Sequence, residues 1–415
     1  MSDWNEVPLG EIGLPGSAGF ATGPFGSAVS SKTFAASGTP MIRGSNLSED
    51  VSKRLVETEY VFLPDHIVQR FGRSIAKRGD LVFTCWGTIG QVGFIDKSSK
   101  FEKYLVSNKQ MRMTPDPSRV DSRFLYYALS DRRMIDYVKS EAIGSSVPGF
   151  NLGQLKSLIV RVPELPEQRA IAAALGALDD KIAANAKLAT VADELIRALF
   201  QRACGSARDH VRIDSLVSTV RDQVAPDGSG GVYVGLEHVP RHLMWLTDSG
   251  SAADVTSAKL RFGRGDILFG KLRPYFHKVS VAPSSGICST DILVLRAKEP
   301  ELAGFALAAL SSDEVVAMVT ASSEGTRMPR ASWKDLAAAE ISWPGDAPAR
   351  EFSSRVASLR DLVQARLREN EQLAATRDAL LPALMSGRLT VRDAEAAIGD
   401  LRPTQINAGS SKELV

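Results

Sequence analysis

The chain has 415 residues, enough for two or three ordinary domains. Its composition, 44% hydrophobic and 24% charged, is close to the globular average and excludes wholesale disorder and fibrous structure. Fifty Lys and Arg residues nearly balance 48 Asp and Glu residues, so the net charge of +2 excludes a polycationic nucleic-acid coat. Specific DNA binding stays possible, because it depends on placed contacts rather than on bulk charge.

Cysteine usage and hydropathy indicate the compartment. The three cysteines, Cys85, Cys204 and Cys288, are few and widely spaced, which predicts neither a disulfide framework nor a zinc-ligand spacing. The N-terminal residues lack the basic start and apolar run of a signal peptide, and no stretch reaches the roughly eighteen apolar residues of a membrane span. We therefore expect a cytoplasmic protein that makes no membrane contact.

The first 163 residues have the pattern of a mixed α and β domain. Short β-branched and apolar runs bounded by Gly, Pro and Asp predict strands at Leu81–Phe83 and Gln91–Ile95. An amphipathic period predicts a helix over Ser122–Lys139.

A long helix is predicted next, beginning at Pro166 and ending at Cys204-Gly205. Its seam positions follow alternating steps of four and three residues, which is the spacing of a coiled coil, and Asn185 alone interrupts the apolar series. The seam residues are Ile171, Leu175, Leu178, Ile182, Asn185, Ala189, Ala192, Ile196 and Leu199.

The second half repeats this order. Strands are predicted at Val232–Val234, Ile267–Phe269 and Ile292–Leu295, and a helix over Ala303–Val319. A second long helix ends at Ser386-Gly387 and has the same four-three spacing. Its seam residues are Phe352, Val356, Leu359, Val363, Arg366, Asn370, Leu373, Arg377, Leu380 and Leu384.

Individual segments of the two halves also correspond. Gly144–Asn151 matches Gly325–Ser332 at an offset of 181 residues, and Gly79–Phe83 echoes Gly265–Phe269 at an offset of 186. A period this long is not that of a solenoid. It predicts a duplicated unit made of one domain and one long helix.

The motifs resemble those of the specificity (S) subunit of type I restriction-modification systems. Leu165–Ile171 with Leu178–Ile182 resembles the central conserved region of that family, and Arg368–Asn370 with Leu380–Gly387 resembles its C-terminal counterpart. Segments similar to the recognition domains of the family are Gly23–Ser27, Gly38–Leu47 and Gly265–Tyr275. One departure is Pro348–Phe352, which replaces the Pro-Glu-Gln start of the second helix.

The resemblance implies a mixed α+β fold, with two α/β target-recognition domains separated by two long antiparallel coiled-coil helices in a pseudo-two-fold repeat. The expected domains are an N-terminal target-recognition domain (1–163), a central conserved spacer helix (164–205), a C-terminal target-recognition domain (206–346), a C-terminal conserved spacer helix (347–391) and a polar tail (392–415).

The resemblance also implies the partners. Each recognition domain would read one half of a bipartite site in double-stranded DNA. The helices would carry methyltransferase (M) subunits, expected to be two, and restriction (R) subunits would join through the complex. No cofactor is expected on this chain, because the M subunits own the cofactor and the chemistry.

Candidate DNA-binding residues follow from side-chain chemistry. Arg and Asn suit guanine and adenine edges, small residues let backbone approach DNA, and interleaved cations and aromatics suit a DNA-facing surface. In the two halves they are Arg43, Asn46, Gly87, Thr88, Gln91, Ser145, Ser146, Lys271, Arg273, Tyr275, Lys278, Arg327 and Arg330.

Antiparallel packing of the two long helices with aligned ends predicts one specific contact. It brings Asn185, the midpoint of the first seam, opposite Arg366 and Asn370. A polar layer inside an apolar seam penalises slipped registers, so these three residues are candidates for setting the register of the spacer.

Motifs for catalysis on the chain itself are not found. The sequence has no ATP-binding Gly-rich loop, no Asn-Pro-Pro-aromatic or Asp-Pro-Pro-aromatic motif and no metal-site spacing, since Pro240 separates His238 from His242. We therefore expect no catalytic residue and no metal ligand. The alternative is a stand-alone DNA-cleaving enzyme with two recognition domains, for which Asp266 and Lys271 could supply a carboxylate and a lysine. A coiled-coil scaffold without a DNA role is a third option that the duplicated α/β halves disfavour.

Overall fold

In the computed structural model, which describes residues 4–25, 29–144, 148–225, 228, 230–322 and 328–394, the chain divides into two compact units. The first unit contains the described residues of Met1–Ile182 and Gln372–Val415, and the second unit contains those of Ala183–Glu371. Each unit combines short strands and helices with a part of both long helices.

The first unit has ten strands and six short α-helices among its described residues, followed by the first long helix, which continues into the second unit. The strands are β1 Asn5–Pro8, β2 Phe20–Thr22, β3 Thr39–Ile42, β4 Val61–Leu63, β5 Ile75–Lys77, β6 Leu81–Thr84, β7 Val92–Phe94, β8 Lys103–Val106, β9 Gln110–Met113 and β10 Ile159–Val162. The helices are α1 Leu9–Ile12, α2 Gly16–Gly19, α3 Asp65–Val68, α4 Ser122–Ser130, α5 Arg132–Ser140, α6 Leu152–Ser157 and the long α7 Leu165–Cys204.

The second unit is built in the same way in its described part. Its strands are β11 Asp209–Arg212, β12 Val217–Val220, β13 Gln223–Val224, β14 Val232–Val234, β15 Gly250–Ser251, β16 Lys259–Phe262, β17 Ile267–Gly270, β18 Val279–Val281, β19 Gly286–Cys288, β20 Ile292–Ala297 and β21 Glu340–Trp343. The helices are α8 Ile213–Leu216, α9 Ala303–Leu310, α10 Asp313–Ser322, α11 Trp333–Ala338 and the long α12 Asp346–Met385.

The same order of paired strands occurs in both units. The sheet β2-β9-β6-β7 of the first unit corresponds to β12-β20-β17-β18 of the second, and β1-β10 corresponds to β11-β21. The sheet β4-β3-β8-β5 corresponds to β15-β14-β19-β16, which β13 extends by one strand, and both contain one parallel pair among antiparallel ones. The predicted fold class, a mixed α+β chain with an internal repeat and two long helices, is confirmed.

A tight turn before β6 in the first unit and before β17 in the second explains why the same Gly-Asp pair occurs in both. Gly79 and Gly265 have φ values of +95° and +88°, a conformation that favours glycine. The following aspartates close the turn, because Asp80 accepts a hydrogen bond from Lys77 N (2.8 Å) and Asp266 from Gly263 N (2.7 Å). The apolar residues that follow form β6 and β17, which are buried along their whole length.

Two helices that the sequence predicts as single are each broken in two. The prediction of one helix over Ser122–Lys139 is wrong, because Asp131 adopts an extended conformation and its carboxylate caps Arg133 N of α5. The prediction over Ala303–Val319 is wrong for a similar reason, since Ser311 leaves helical geometry and Ser312 Oγ accepts from Val315 N. Short polar side chains therefore end these helices where the apolar period alone continues.

The two long helices pack antiparallel within each unit. In the second unit Asn185 of α7 contacts Asn370 of α12, while the ring of Phe200 lies 5.9 Å from that of Phe352, so the two segments run in opposite directions. In the first unit Asp179 pairs with Arg377 at 2.9 Å. Apart from the half-buried Ile182 and Leu199, the seam residues predicted for α7 are buried.

No single helix among the described residues is long and apolar enough to cross a bilayer. One bent pair, Pro300–Leu310 with Asp313–Ser322, meets the criterion only when both helices are taken together.

Candidate nucleic-acid interface

In each unit, three backbone segments meet at the end of one interior strand, which is β6 in the first unit and β17 in the second. In the first unit Cys85 N donates to Lys109 O (2.8 Å) and Phe150 N donates to Cys85 O (2.9 Å). These two bonds join the loop after β6, the turn between β8 and β9, and the segment 148–150. We call this arrangement the first junction.

The second unit makes the same connections. Lys271 N donates to Asp291 O (2.8 Å) and Ala331 N donates to Lys271 O (2.8 Å), which joins the loop after β17, the turn between β19 and β20, and the segment 329–331. We call this arrangement the second junction. Lys271 follows Cys85 by 186 positions and Ala331 follows Phe150 by 181, which are the two offsets of the sequence repeat. Most of the candidate DNA-binding residues lie at one of these two places.

The first junction borders a concavity of about 540 Å³. The concavity brings together three of the predicted residues, because Arg43 lies beside the adjacent pair Gly87 and Thr88 although it precedes them by more than forty positions in the sequence. The concavity is open to solvent and has the exposed Trp86 and Lys109 on its edge. Its further lining residues are Pro24, Val29, Phe34, Met41, Gly44, Ser45, Thr84, Leu105, Ser107, Asn108 and Gln110.

The loop after β6 needs a glycine at its tip. Gly87 has φ +95° and donates its N–H to Pro148 O (3.2 Å). The ring of Trp86, 49% exposed, covers Gly149 so closely that a Cβ there would lie 2.6 Å from it. A large aromatic face is thus held at the surface beside Thr88, although water would favour burying it.

Arg43 is anchored on one side and unpaired on the other. Its Nη2 donates to Glu59 O (2.7 Å), whereas its buried Nε has no hydrogen-bond partner among the described residues. An incompletely bonded guanidinium at the wall of a concavity is suited to donate hydrogen bonds to a base edge or a phosphate.

Asn46 does not lie where the sequence prediction requires. It is fully buried, and its Nδ2 donates to Val56 O (2.9 Å) and Thr58 O (3.0 Å) while its Oδ1 accepts from Arg43 N (3.0 Å). All its hydrogen-bonding groups serve the local backbone, so this structure contradicts the prediction that Asn46 reads a base. Its role is to hold the loop that carries Arg43.

Gln110 is the residue that the sequence analysis missed. It is fully buried, its Oε1 accepts a hydrogen bond from Ser107 Oγ, and its Nε2 has no partner among the described residues. A buried amide donor without an acceptor is costly unless a ligand or water completes it. The polar run Ser107–Gln110 between two buried strands was the available signal.

Gln91 lies beside the first junction but not in the concavity. It is half-buried, and its Nε2 donates to Leu47 O (3.3 Å). Ser145, Ser146 and Arg327, three further candidates, lie outside the described residues.

At the second junction, Arg273, Tyr275 and Arg330 are exposed. Arg273 has φ +51° and donates its N–H to Pro329 O (2.8 Å), which fixes the loop against the segment that carries Arg330. Arg330 pairs with Asp291 at 3.3 Å. An aromatic and two guanidinium groups are therefore presented from one place.

The two lysines of the second junction are less available. Lys271 Nζ donates to Thr290 O (2.5 Å), and Lys278 Nζ donates to Leu236 O. Burial lowers the pKa of both ammonium groups. The sequence analysis missed Arg241. Its guanidinium lies 4.1 Å from the centre of the Phe276 ring, and this ring in turn contacts the ring of Tyr275.

The polar layer of the helix seam lies within the second unit. Asn185 is buried, and its Nδ2 lies 2.8 Å from Asn370 Oδ1, 3.0 Å from Glu369 Oε2 and 3.4 Å from Arg366 O. The sequence pointed to Asn185, Arg366 and Asn370, and it missed Glu369, which also binds Arg366 Nη1 at 3.0 Å. The function of this layer in setting register stays a prediction.

Comparisons with known proteins agree with this architecture. Residues 1–192 match the family model described as the type I restriction modification DNA specificity domain. The chain is 24% identical, over 204 residues, to the HindI type I restriction enzyme specificity subunit of Haemophilus influenzae; this covers 48% of the chain and 40% of that protein. It is 26% identical to the EcoDI specificity subunit of Escherichia coli, over 48% of the chain and 53% of that protein.

The chain thus spans about half the length of the curated relatives it matches, or less. Among solved structures, the S subunit of a type I restriction-modification system from M. genitalium aligns with a TM-score of 0.55 over 92% of this chain and 96% of that one. At 14% sequence identity this likeness establishes the fold. The resemblance to specificity subunits that the motifs indicated is confirmed.

Proposed function

From the match of residues 1–192 to a type I restriction modification DNA specificity domain, we propose that the chain is the DNA-binding specificity subunit of a type I restriction-modification complex. In this role it reads a bipartite site in double-stranded DNA. The observation that carries the proposal is the pair of junctions, which occupy the same topological position in both units but present different side chains.

Unlike side chains at equivalent positions suit two unlike half-sites. The first junction offers Arg43, Thr88 and the unpaired Gln110 amide around a concavity, together with the exposed Trp86. The second offers Arg273, Tyr275 and Arg330 on an open surface. Base edges in the major groove are distinguished by such donors, and the cations also bind phosphates.

The remaining assignments follow from the same proposal. Target recognition belongs to residues 1–163 and 206–346, and the spacer helices of residues 164–205 and 347–391 carry the methyltransferase subunits, which number two. Restriction subunits join through the complex, and the protein works in the cytoplasm. The chain itself is non-catalytic.

A stand-alone nuclease is the weaker candidate. Asp266, the carboxylate considered for that function, is buried and accepts two hydrogen bonds from Arg296, at 2.7 and 2.8 Å, besides the one that closes its turn. Its oxygens are thus used by the fold. No observation on the described residues favours cleavage by this chain alone.

Substitution of one arginine in each unit tests the proposal. We expect Arg43→Ala to weaken recognition of one half-site only, and Arg273→Ala that of the other, each by about 1–3 kcal/mol, because one base or phosphate contact is lost. The measurement is competition binding of the full-length chain at low salt to duplexes in which either half-site is scrambled.

Two exposed arginines away from the junctions serve as controls. Arg70→Ala in the first unit and Arg261→Ala in the second remove the same charge and should leave both half-site preferences unchanged. Loss of both half-sites in either junction variant, or an equal loss in the controls, would contradict independent reading by the two units.

A further inference from the structure

A cluster of two histidines and one aspartate lies in the second unit at the end of the loop after β17. His242, His277 and Asp313 each offer one ligand atom, and these atoms all lie within 4.8 Å of one another. The imidazole rings of the two histidines are 4.4 Å apart, and His277 Nδ1 is 3.4 Å from Asp313 Oδ1. His277 is buried, whereas His242 and Asp313 are exposed, so the cluster opens to solvent on one side.

The hydrogen bonds of His277 leave a lone pair directed at a carboxylate. Its Nε2 lies 2.9 Å from Ser311 O, and because a carbonyl oxygen only accepts, Nε2 must carry the proton. With its proton on Nε2, the neutral imidazole has its lone pair on Nδ1, which is the form in which histidine binds a metal. Nδ1 and Asp313 Oδ1 are thus two acceptors that face each other, an arrangement that a cation between them would stabilise.

The surrounding backbone holds both histidines in an unusual conformation. His242 and His277 have φ +53° each, in the left-handed region that residues other than glycine seldom adopt. His242 N donates to His277 O (2.9 Å), which ties the two loops together. Such strained, mutually fixed positions are found preferentially at ligand sites.

The two arginines near the cluster, Arg197 and Arg241, have interaction partners other than Asp313. Arg197 donates to Ser311 O, the same carbonyl that orients His277, but its Nε is paired with Asp193 at 2.7 Å. Arg241, the neighbour of His242, stacks on Phe276. The carboxylate of Asp313 therefore remains available to a cation at the cluster.

We propose that His242, His277 and Asp313 form a binding site for a divalent transition metal, of which Zn²⁺ fits best. Two imidazole nitrogens and one carboxylate oxygen are a common zinc ligand set, with water as the fourth ligand. Ligand atoms of a tetrahedral zinc site lie about 3.4 Å apart, which is the separation of His277 Nδ1 and Asp313 Oδ1. The bond from Nε2 to a backbone carbonyl is the usual outer-shell support of a zinc-bound histidine.

The position gives the metal a structural consequence. It would link the chain at His242, the end of the loop that carries Arg273 and Tyr275, and the first residue of α10. Sequence spacing does not reveal such a site, because its ligands are dispersed over more than seventy residues. The metal would fix the loop of the second junction, so metal binding should raise the melting temperature of the chain.

Calorimetric titration of the metal-free full-length chain with Zn²⁺ tests the site without DNA, so its result is independent of the proposed function. We expect one equivalent to bind and the melting temperature to rise. His242→Ala and Asp313→Asn should each weaken binding by about 10- to 100-fold. Both side chains are exposed, so these variants retain the fold.

His210→Ala is the matched control, because His210 is an exposed histidine on β11 outside the cluster. It should bind Zn²⁺ as the unaltered chain does. Co²⁺ in place of Zn²⁺ should give the strong visible absorption of tetrahedral coordination in the control and not in His242→Ala. Absence of Zn²⁺ binding, unchanged affinity in both cluster variants, or equal loss in the control would overturn the proposal.

Discussion

Arg377→Met is expected to lower the free energy of unfolding of the first unit by about 3–5 kcal/mol, because it leaves a buried carboxylate without its cation. Arg377 is buried on α12, and its Nη1 donates to Asp179 Oδ1 of α7 at 2.9 Å. Its Nη2 lies 2.7 Å from Asp378 and 3.8 Å from Asp50. One guanidinium thus joins both long helices to the recognition body of the same unit.

The remaining partners cannot replace it. Asp179 is also buried, and besides Arg377 it accepts a hydrogen bond from Tyr127 Oη at 2.5 Å and lies 4.0 Å from Arg54. Arg54 is already committed to Asp96 and Asp180. The loss of Arg377 therefore exposes the full desolvation cost of the Asp179 carboxylate.

Thermal and urea unfolding of the full chain measures this effect. Arg355→Ala is the control, since Arg355 is an exposed arginine of the same helix whose pair with Glu351 should contribute less than about 1 kcal/mol. A loss in Arg377→Met no larger than that of the control would show that the buried pair does not hold the helices to the recognition body.

Asn185→Leu is expected to raise the free energy of unfolding by about 1 kcal/mol while weakening the discrimination of gap length. Leucine adds apolar contact in the buried seam, and the partners Glu369 and Asn370 are half-exposed and can bind water instead. Without the polar layer, a slipped register no longer buries an amide against apolar side chains. Because α7 and α12 both continue from one unit into the other, we expect their register to set which gap length the DNA site has.

Unfolding of the variant and its binding to duplexes with gaps one base pair longer or shorter test this expectation. We expect the preference for the best gap to fall by about tenfold, or roughly 1.4 kcal/mol. Thr190→Leu, an exposed position of the same helix, should change neither quantity. A destabilised Asn185→Leu variant, or one with unchanged gap preference, would be inconsistent with a register function.

The sequence predicted the features that rest on periodicity. Heptad spacing predicted both long helices and the Asn185 layer, and the internal offsets predicted the duplicated unit, because both patterns can be read directly from the order of residues along the chain. The sequence-based prediction failed where a single polar side chain determines the end of a helix. The side chains of Asp131 and Ser312 cap the helices α5 and α10, so each preceding helix ends although the apolar period continues; such caps are recognisable only once the backbone geometry is known.

Individual site residues were harder to predict than the architecture. Asn46 has the chemistry to read adenine, but its amide is hydrogen-bonded to the backbone of its own loop. Gln110 has the same chemistry, and its Nε2 has no partner among the described residues beside the concavity. The distinction depends on which backbone groups lie within hydrogen-bond distance. In the same way, His242, His277 and Asp313 become a cluster only because three separate segments meet in space.

Selection of bound duplexes from a random-sequence pool by the full-length chain, followed by sequencing, tests the central claim most directly. Two unlike junctions on a repeated fold predict two short, different sequence elements separated by a gap of unspecified bases. If each unit enters the major groove on the same face of the DNA, the element centres should lie roughly 10 base pairs apart. Recovery of a single uninterrupted element, or of no enriched sequence, would contradict the account.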